Sequence, residues 1–129
     1  MTLFEKIIAR EIPAEIVFED DSHIAFLDIK PIKPGHLLVV PKKVIGDILE
    51  MEDQDYIELM RVAKKIAIKL KQATEAKRIG FLIEGFAIDH VHVHLVPINS
   101  GQELEPNQAV AASAEELAAI ANVIRKTLI

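Results

Sequence analysis

The sequence predicts a domain that mixes strands and helices, and three observations carry that prediction. Short apolar runs such as Leu37 to Val40, closed by Pro41, have the length and punctuation of strands. Between Asp53 and Thr74, Leu59, Ala63, Ile66 and Leu70 recur at helical intervals, with lysines filling much of the remainder. His90, His92 and His94 alternate with Val91, Val93 and Leu95, the period of a strand with two unlike faces. Half of the 129 residues are apolar, enough for one core and too short a chain for two, so one domain over residues 1–129 is expected.

Taken in order, Phe4, Ile7 and Ile8 have helical spacing, and Pro13 is expected to stop that short helix with Ile12 extended before it. Glu15 to Glu19 and His23 to Leu27 read as a hairpin turned by Asp20, Asp21 and Ser22. Asp28 sits where the second strand runs into a loop, Ile29 to Gly35, whose Pro31, Pro34 and Gly35 define the backbone path. Leu37 to Val40 follows as a strand, then the long helix over Asp53 to Thr74. Ile79 to Glu84 reads as a strand that Gly85 breaks, and Val91 to Pro97 as the histidine strand. Asn99 to Gln108 is a polar loop holding Gly101 and Pro106, after which Ser113 and Glu116 make a capping box for a helix through Leu128. No internal repeat is visible.

Composition narrows the function. A net charge of -5 with mixed signs argues against a broad grip on DNA or RNA, while a small phosphorylated ligand stays compatible. With no cysteine there is no disulfide framework and no thiolate zinc site, which fits a cytoplasmic location. Met1 to Pro13 carries Glu5, Lys6, Arg10 and Glu11 among its apolar residues, unlike a signal peptide, and no apolar run reaches the length of a membrane span.

The chain has five histidines, and three at consecutive same-face positions of one strand point to chemistry there. One reading is a zinc ion held by imidazoles with an open position for water, although His90 and His94 would lie roughly 6 to 7 Å apart along the strand. A second is phosphoryl or nucleotidyl transfer, with His92 as nucleophile and its neighbours meeting phosphate oxygens. For that role one nitrogen of His92 must be unprotonated while an acceptor holds the other N–H. A third is a solvated polar face with no ligand.

The run His90-Val-His92-Val-His94-Leu-Val, with apolar residues between the histidines, resembles the signature of the histidine triad (HIT) family. Phe4 to Pro13, Ala25-Phe-Leu-Asp-Ile29 and Pro34-Gly-His-Leu-Leu-Val-Val-Pro-Lys42 resemble the N-terminal half of its Hint-like branch in order and spacing. The likeness covers most of residues 4 to 98, leaving 99–129 as a polar loop and C-terminal helix outside the family core. It implies an α+β fold with an antiparallel sheet, a short N-terminal helix, a long central helix and a C-terminal helix. It further implies a homodimer that binds a purine nucleotide such as AMP and hydrolyses a bond at the α-phosphate, with no cofactor and no metal.

Carried over by position, the resemblance makes His92 the nucleophile of a nucleotidyl-histidine intermediate. His90 and His94 would orient it and stabilise phosphate charge, and His36 would be the additional histidine beside them. Asp28 would contact the ribose, where a carboxylate suits two adjacent hydroxyls. Phe4, Ile7, Ile12 and Phe26 would line the base pocket, and backbone N–H groups near Gly85 would meet phosphate. One departure stands out: many members carry Gly-Gln-Ser or Gly-Gln-Thr shortly before the triad, where this chain has Gly85-Phe86-Ala87. The missing polar side chains, which help bind phosphate or protonate the leaving group, set three outcomes side by side: a nucleotide phosphoramidase, a dinucleotide polyphosphate hydrolase, and a nucleotide-binding module with little catalysis.

Overall fold

The computed structural model describes residues 1–128, and in them the expected elements assemble around one antiparallel sheet. Strands β1 (Ile16–Glu19), β2 (His23–Leu27), β3 (Leu37–Pro41), β4 (Arg78–Leu82) and β5 (Val93–Ile98) lie in the order β1-β2-β3-β5-β4. Helices α1 (Leu3–Ile8), α2 (Asp53–Thr74) and α3 (Ala114–Leu128) complete the α+β fold. The β1–β2 turn forms because Asp20 Oδ1 accepts the N–H groups of Ser22 and His23, as an Asx turn does. Short turns of 3-10 helix at Ile48–Glu50 and Pro106–Gln108 interrupt the connections.

Sheet alternation divides the apolar residues between two cores. Ala25, Leu27, Leu37, Val39, Val93 and Leu95 face Leu59, Ala63, Ile66 and Leu70 of α2 and Ala121 and Ile124 of α3. The other face presents Ile24, Phe26, Leu38 and Val40 to Phe4 and Ile7 of α1. With helices on both sides, β2 is buried along its whole length. The C-terminal helix covers the sheet beside α2, anchored where Arg125 Nε donates to the Ile16 carbonyl at 2.9 Å. Ahead of it, Val110 N–H donates to Pro31 and Ala112 N–H to Ile29, bracing the loop that carries Asp28.

Strand β4 ends at Leu82, two residues short of the expected Glu84, and two further boundaries differ from expectation for physical reasons. Helix α1 stops at Ile8, well before Pro13, because Arg10 takes a left-handed conformation (φ 64°). Glu11 N–H then donates to Lys6 O at 2.8 Å and Arg10 N–H to Ile7 O at 3.0 Å, the double closure of a Schellman motif. The histidine strand also begins later than expected. Its partners run out where Leu82 of β4 pairs with His94 and Val39 of β3 with Val93, so His90 and His92 precede the ladder. Extended alternation nevertheless persists: Val91 packs in the core with Val93 and Leu95, and its N–H donates to Ile45 O at 2.7 Å.

Candidate active site

A cavity of about 260 Å3 opens on the face of the sheet that carries α1. Phe4 and Ile7 reach it from α1, Ile12 from the segment after that helix, and Phe26 from β2. Asp28 stands at the end of β2, and Ala87, Ile88, His92 and His94 complete the opposite wall. Phe4 organises the interior: its ring lies 5.5 Å from Phe26 and meets His92 edge-on at 5.0 Å. Apolar walls with three polar side chains at one end suit a flat ligand carrying a polar group.

Each histidine has a defined proton arrangement, because its partners leave one choice. His92 Nδ1 lies 2.7 Å from the carbonyl of His90, an acceptor only, so Nδ1 carries the hydrogen and Nε2 keeps its lone pair. On the other side, Ile32 N–H donates to His36 Nδ1 at 2.9 Å, which leaves the proton of a neutral His36 on Nε2. That N–H donates to His94 Nδ1 at 2.9 Å, so His94 carries its own hydrogen on Nε2. The site thus pairs a bare nitrogen on His92 with an N–H on His94, their rings 4.9 Å apart.

Burial pushes His92 below its ordinary value, against the pull of the His90 carbonyl. Burial likewise lowers His36 against the opposing charge of Asp28. In His94 burial acts first and the neighbouring His36 and His92 rings add to it, bringing the group down to about 4. All three are neutral at pH 7, as a nucleophilic imidazole requires.

His90 lies behind the cavity and does not line it. Its ring is buried, Nε2 donates to Pro41 O at 2.7 Å, and Nδ1 lies 3.1 Å from Thr2 Oγ1. With the ring hydrogen committed to Pro41, Nδ1 accepts, so the Thr2 hydroxyl donates to it while its oxygen accepts Glu5 N–H. The expectation that His90 stabilises phosphate charge is therefore corrected: both ring nitrogens are spent, and its carbonyl orients His92. His36 is likewise outside the cavity lining and meets it through its hydrogen bond to His94. Gly85 does not line the cavity; with φ 86° and the Gly46 carbonyl packed beside it, it shapes the turn, and Ala87 and Ile88 form the wall. Thr2 was not singled out from the sequence, although Thr2-Leu-Phe-Glu5 has the capping-box pattern that α1 uses.

Asp28 Oδ1 accepts Lys30 N–H at 2.9 Å, and Oδ2 lies 3.7 Å from His36 Nε2. Asp28, His36 and His94 offer ligand atoms within 4.8 Å of one another, a spacing a metal ion could bridge. The proton arrangement opposes it, since His36 Nε2 is the hydrogen-bearing nitrogen while Ile32 N–H occupies Nδ1.

A HIT domain model matches residues 9–101. The chain belongs to the histidine triad family. An uncharacterised HIT-like protein of Methanocaldococcus jannaschii is 38% identical over 111 residues, covering 78% of this chain and 81% of that one. Among solved HIT structures, a Hit-like protein of Bartonella henselae involved in cell-cycle regulation superposes with a TM-score of 0.86 at 34% identity, covering 98% and 95% of the two chains. A hypothetical histidine triad nucleotide-binding protein of Sulfolobus tokodaii gives 0.85 at 30% identity, covering 97% and 90%.

Proposed function

We propose that this HIT domain is a purine nucleotidyl hydrolase that cleaves the bond between the α-phosphorus and its leaving group through a nucleotidyl-His92 intermediate. The base would occupy the apolar cavity against Phe4, Ile7, Ile12 and Phe26, with the ribose hydroxyls on Asp28. The observation that carries the reading is the hydrogen bond from His92 Nδ1 to the His90 carbonyl, which leaves Nε2 as a neutral nucleophile on a ring lining the cavity. His94 Nε2–H supplies a donor for phosphate oxygen. The likeness to a histidine triad nucleotide-binding protein supports the ligand class.

His92→Ala tests the reading. Incubated with a panel of adenosine phosphoramidate, diadenosine polyphosphate and an activated AMP ester, the variant is expected to lose turnover and the covalent adduct while still binding AMP by calorimetry. Retained turnover refutes the nucleophile, and tight AMP binding by the unaltered protein with no product from any substrate favours a binding module instead. A cytoplasmic homodimer belongs to the same proposal. The edge strand β4 carries the exposed Phe81, and α2 the exposed Tyr56, Ile57 and Ile68, apolar surface of the kind a partner covers. A monomeric mass by light scattering at micromolar concentration would refute the dimer.

A further inference from the structure

We propose that the site selects nucleotides whose leaving group departs as a stable anion without taking up a proton, such as the carboxylate of an acyl-nucleotide anhydride or the phosphate of a polyphosphate, and discriminates against amine leaving groups. The inference deepens the proposed function and rests on His92 as nucleophile. Its ground is the cavity wall: among the described residues, the polar side chains lining it are Asp28, His92 and His94, with no hydroxyl, amide or ammonium group. In the segment leading into the histidines, the carboxylates of Glu84 and Asp89 are exposed and lie outside that lining. Ala87 and Ile88 form apolar wall, and Phe86 is 92% exposed.

The chemistry follows from that inventory. His92 Nε2 gives its lone pair to the α-phosphorus, the bond to the leaving atom breaks, and the electron pair departs with that atom. A carboxylate or phosphate oxygen holds the pair as it stands. An amine nitrogen would leave as an amide anion, far too basic to form in water, and so needs a proton delivered as the bond breaks. His92 has given its lone pair and keeps its one hydrogen on the His90 carbonyl. His94, held neutral by burial and by His36, offers the N–H of a neutral imidazole, a hydrogen-bond donor but a poor acid. The second half-reaction needs no acid. The adduct keeps its Nδ1 hydrogen, carries a positive charge, and releases neutral imidazole when water attacks phosphorus and yields its proton to solvent.

The test measures kcat/KM of the whole protein with three probes: AMP 4-nitrophenyl ester, AMP phenyl ester and adenosine 5′-phosphoramidate. The two esters share a shape and differ in leaving-group acidity. The nitrophenyl ester is expected to exceed both others by at least about a hundredfold, the scale of a missing general acid. Ala87→Ser, which places a hydroxyl on the cavity wall, is expected to narrow the gap for the phosphoramidate. A phosphoramidate turned over within about tenfold of the nitrophenyl ester would overturn the inference, because some group must then supply the proton. Mass spectrometry of the quenched reactions separates the two layers of argument. If no probe forms an adduct on His92, nucleotidyl transfer itself is refuted; an adduct from all three at similar rates refutes only the selectivity.

Discussion

Replacing Thr2 with Val tests the hydrogen-bonded chain that sets His92 in place. Threonine and valine have nearly the same shape, so the substitution removes one hydroxyl and little else. That hydroxyl accepts Glu5 N–H at 3.1 Å and donates to His90 Nδ1 at 3.1 Å. Loss of the cap costs about 1 kcal/mol. Leaving a ring nitrogen of the buried His90 without its donor costs a further 1–3 kcal/mol or so. The sum is about 2–4 kcal/mol, which a urea slope of about 1–3 kcal/mol/M turns into a midpoint lower by roughly 1 M or more. Thr2→Ser keeps the hydroxyl and should stay within about 1 kcal/mol of the unaltered protein. Urea unfolding at pH 7.5 compares the variants, and nitrogen chemical shifts of the His90 ring report its tautomer directly. Equal midpoints for Thr2→Val and Thr2→Ser, or a hydrogen found on His90 Nδ1, would refute the reasoning.

Three further outcomes are expected. His36, His92 and His94 all resist protonation when folded but take up protons near pH 6.5 when unfolded, so their contribution is complete above that pH and is lost as the pH falls below it, for His94 down to about 4. Each histidine adds at most about 1.4 kcal/mol per pH unit to that slope, and urea midpoints that stay flat from pH 7 to pH 5 would contradict it. Gly46→Ala would place a Cβ against the Asp89 carboxylate, the end of an exposed side chain that can swing aside, so urea unfolding should show a change of no more than about 0.5 kcal/mol. With no backbone displaced, KM in the assays above should stay unchanged. Arg125→Met removes the bond to Ile16 O and the pair with Glu15 Oε2, at 2.9 and 2.8 Å. It should cost about 1–2 kcal/mol and speed amide exchange in β1 before other strands.

The parts of this fold that repeat a local rule were legible in the sequence. Helix α2 runs from Asp53 to Thr74 as its apolar spacing predicts, and Ser113 and Glu116 close the capping box at the start of α3, with N–H contacts of 3.1 and 3.2 Å. Strand β2 also has the predicted bounds, because an Asx turn sets its start and the Asp28 loop its end. The end of α1 was not legible. Pro13 is the usual stop, but the helix closes on an arginine at positive φ, a conformation that no residue type signals there. Beside the local bonds that close the helix, the Arg10 guanidinium reaches the Ile7 and Ile8 carbonyls and pairs with Glu19 on β1, a contact distant in sequence.

For the site, alternation alone identified the face but not the division of labour upon it. Period-two spacing puts His90, His92 and His94 opposite Val91, Val93 and Leu95, and the structure keeps that arrangement even where the ladder has ended. Which nitrogen of each ring is free depends instead on backbone groups that no spacing reveals: Ile32 N–H for His36 and His94, the Pro41 carbonyl for His90 and the His90 carbonyl for His92. Each acts in one direction only, the N–H as donor and the carbonyls as acceptors, and the Thr2 hydroxyl must then donate to the bare Nδ1 of His90. The proton arrangement is therefore a property of the folded backbone and not of the histidines themselves. A substitution that preserves every histidine but removes the Thr2 hydroxyl keeps the His90 tautomer, which Pro41 fixes, and leaves Nδ1 of that buried ring without its donor, loosening the residue whose carbonyl holds His92.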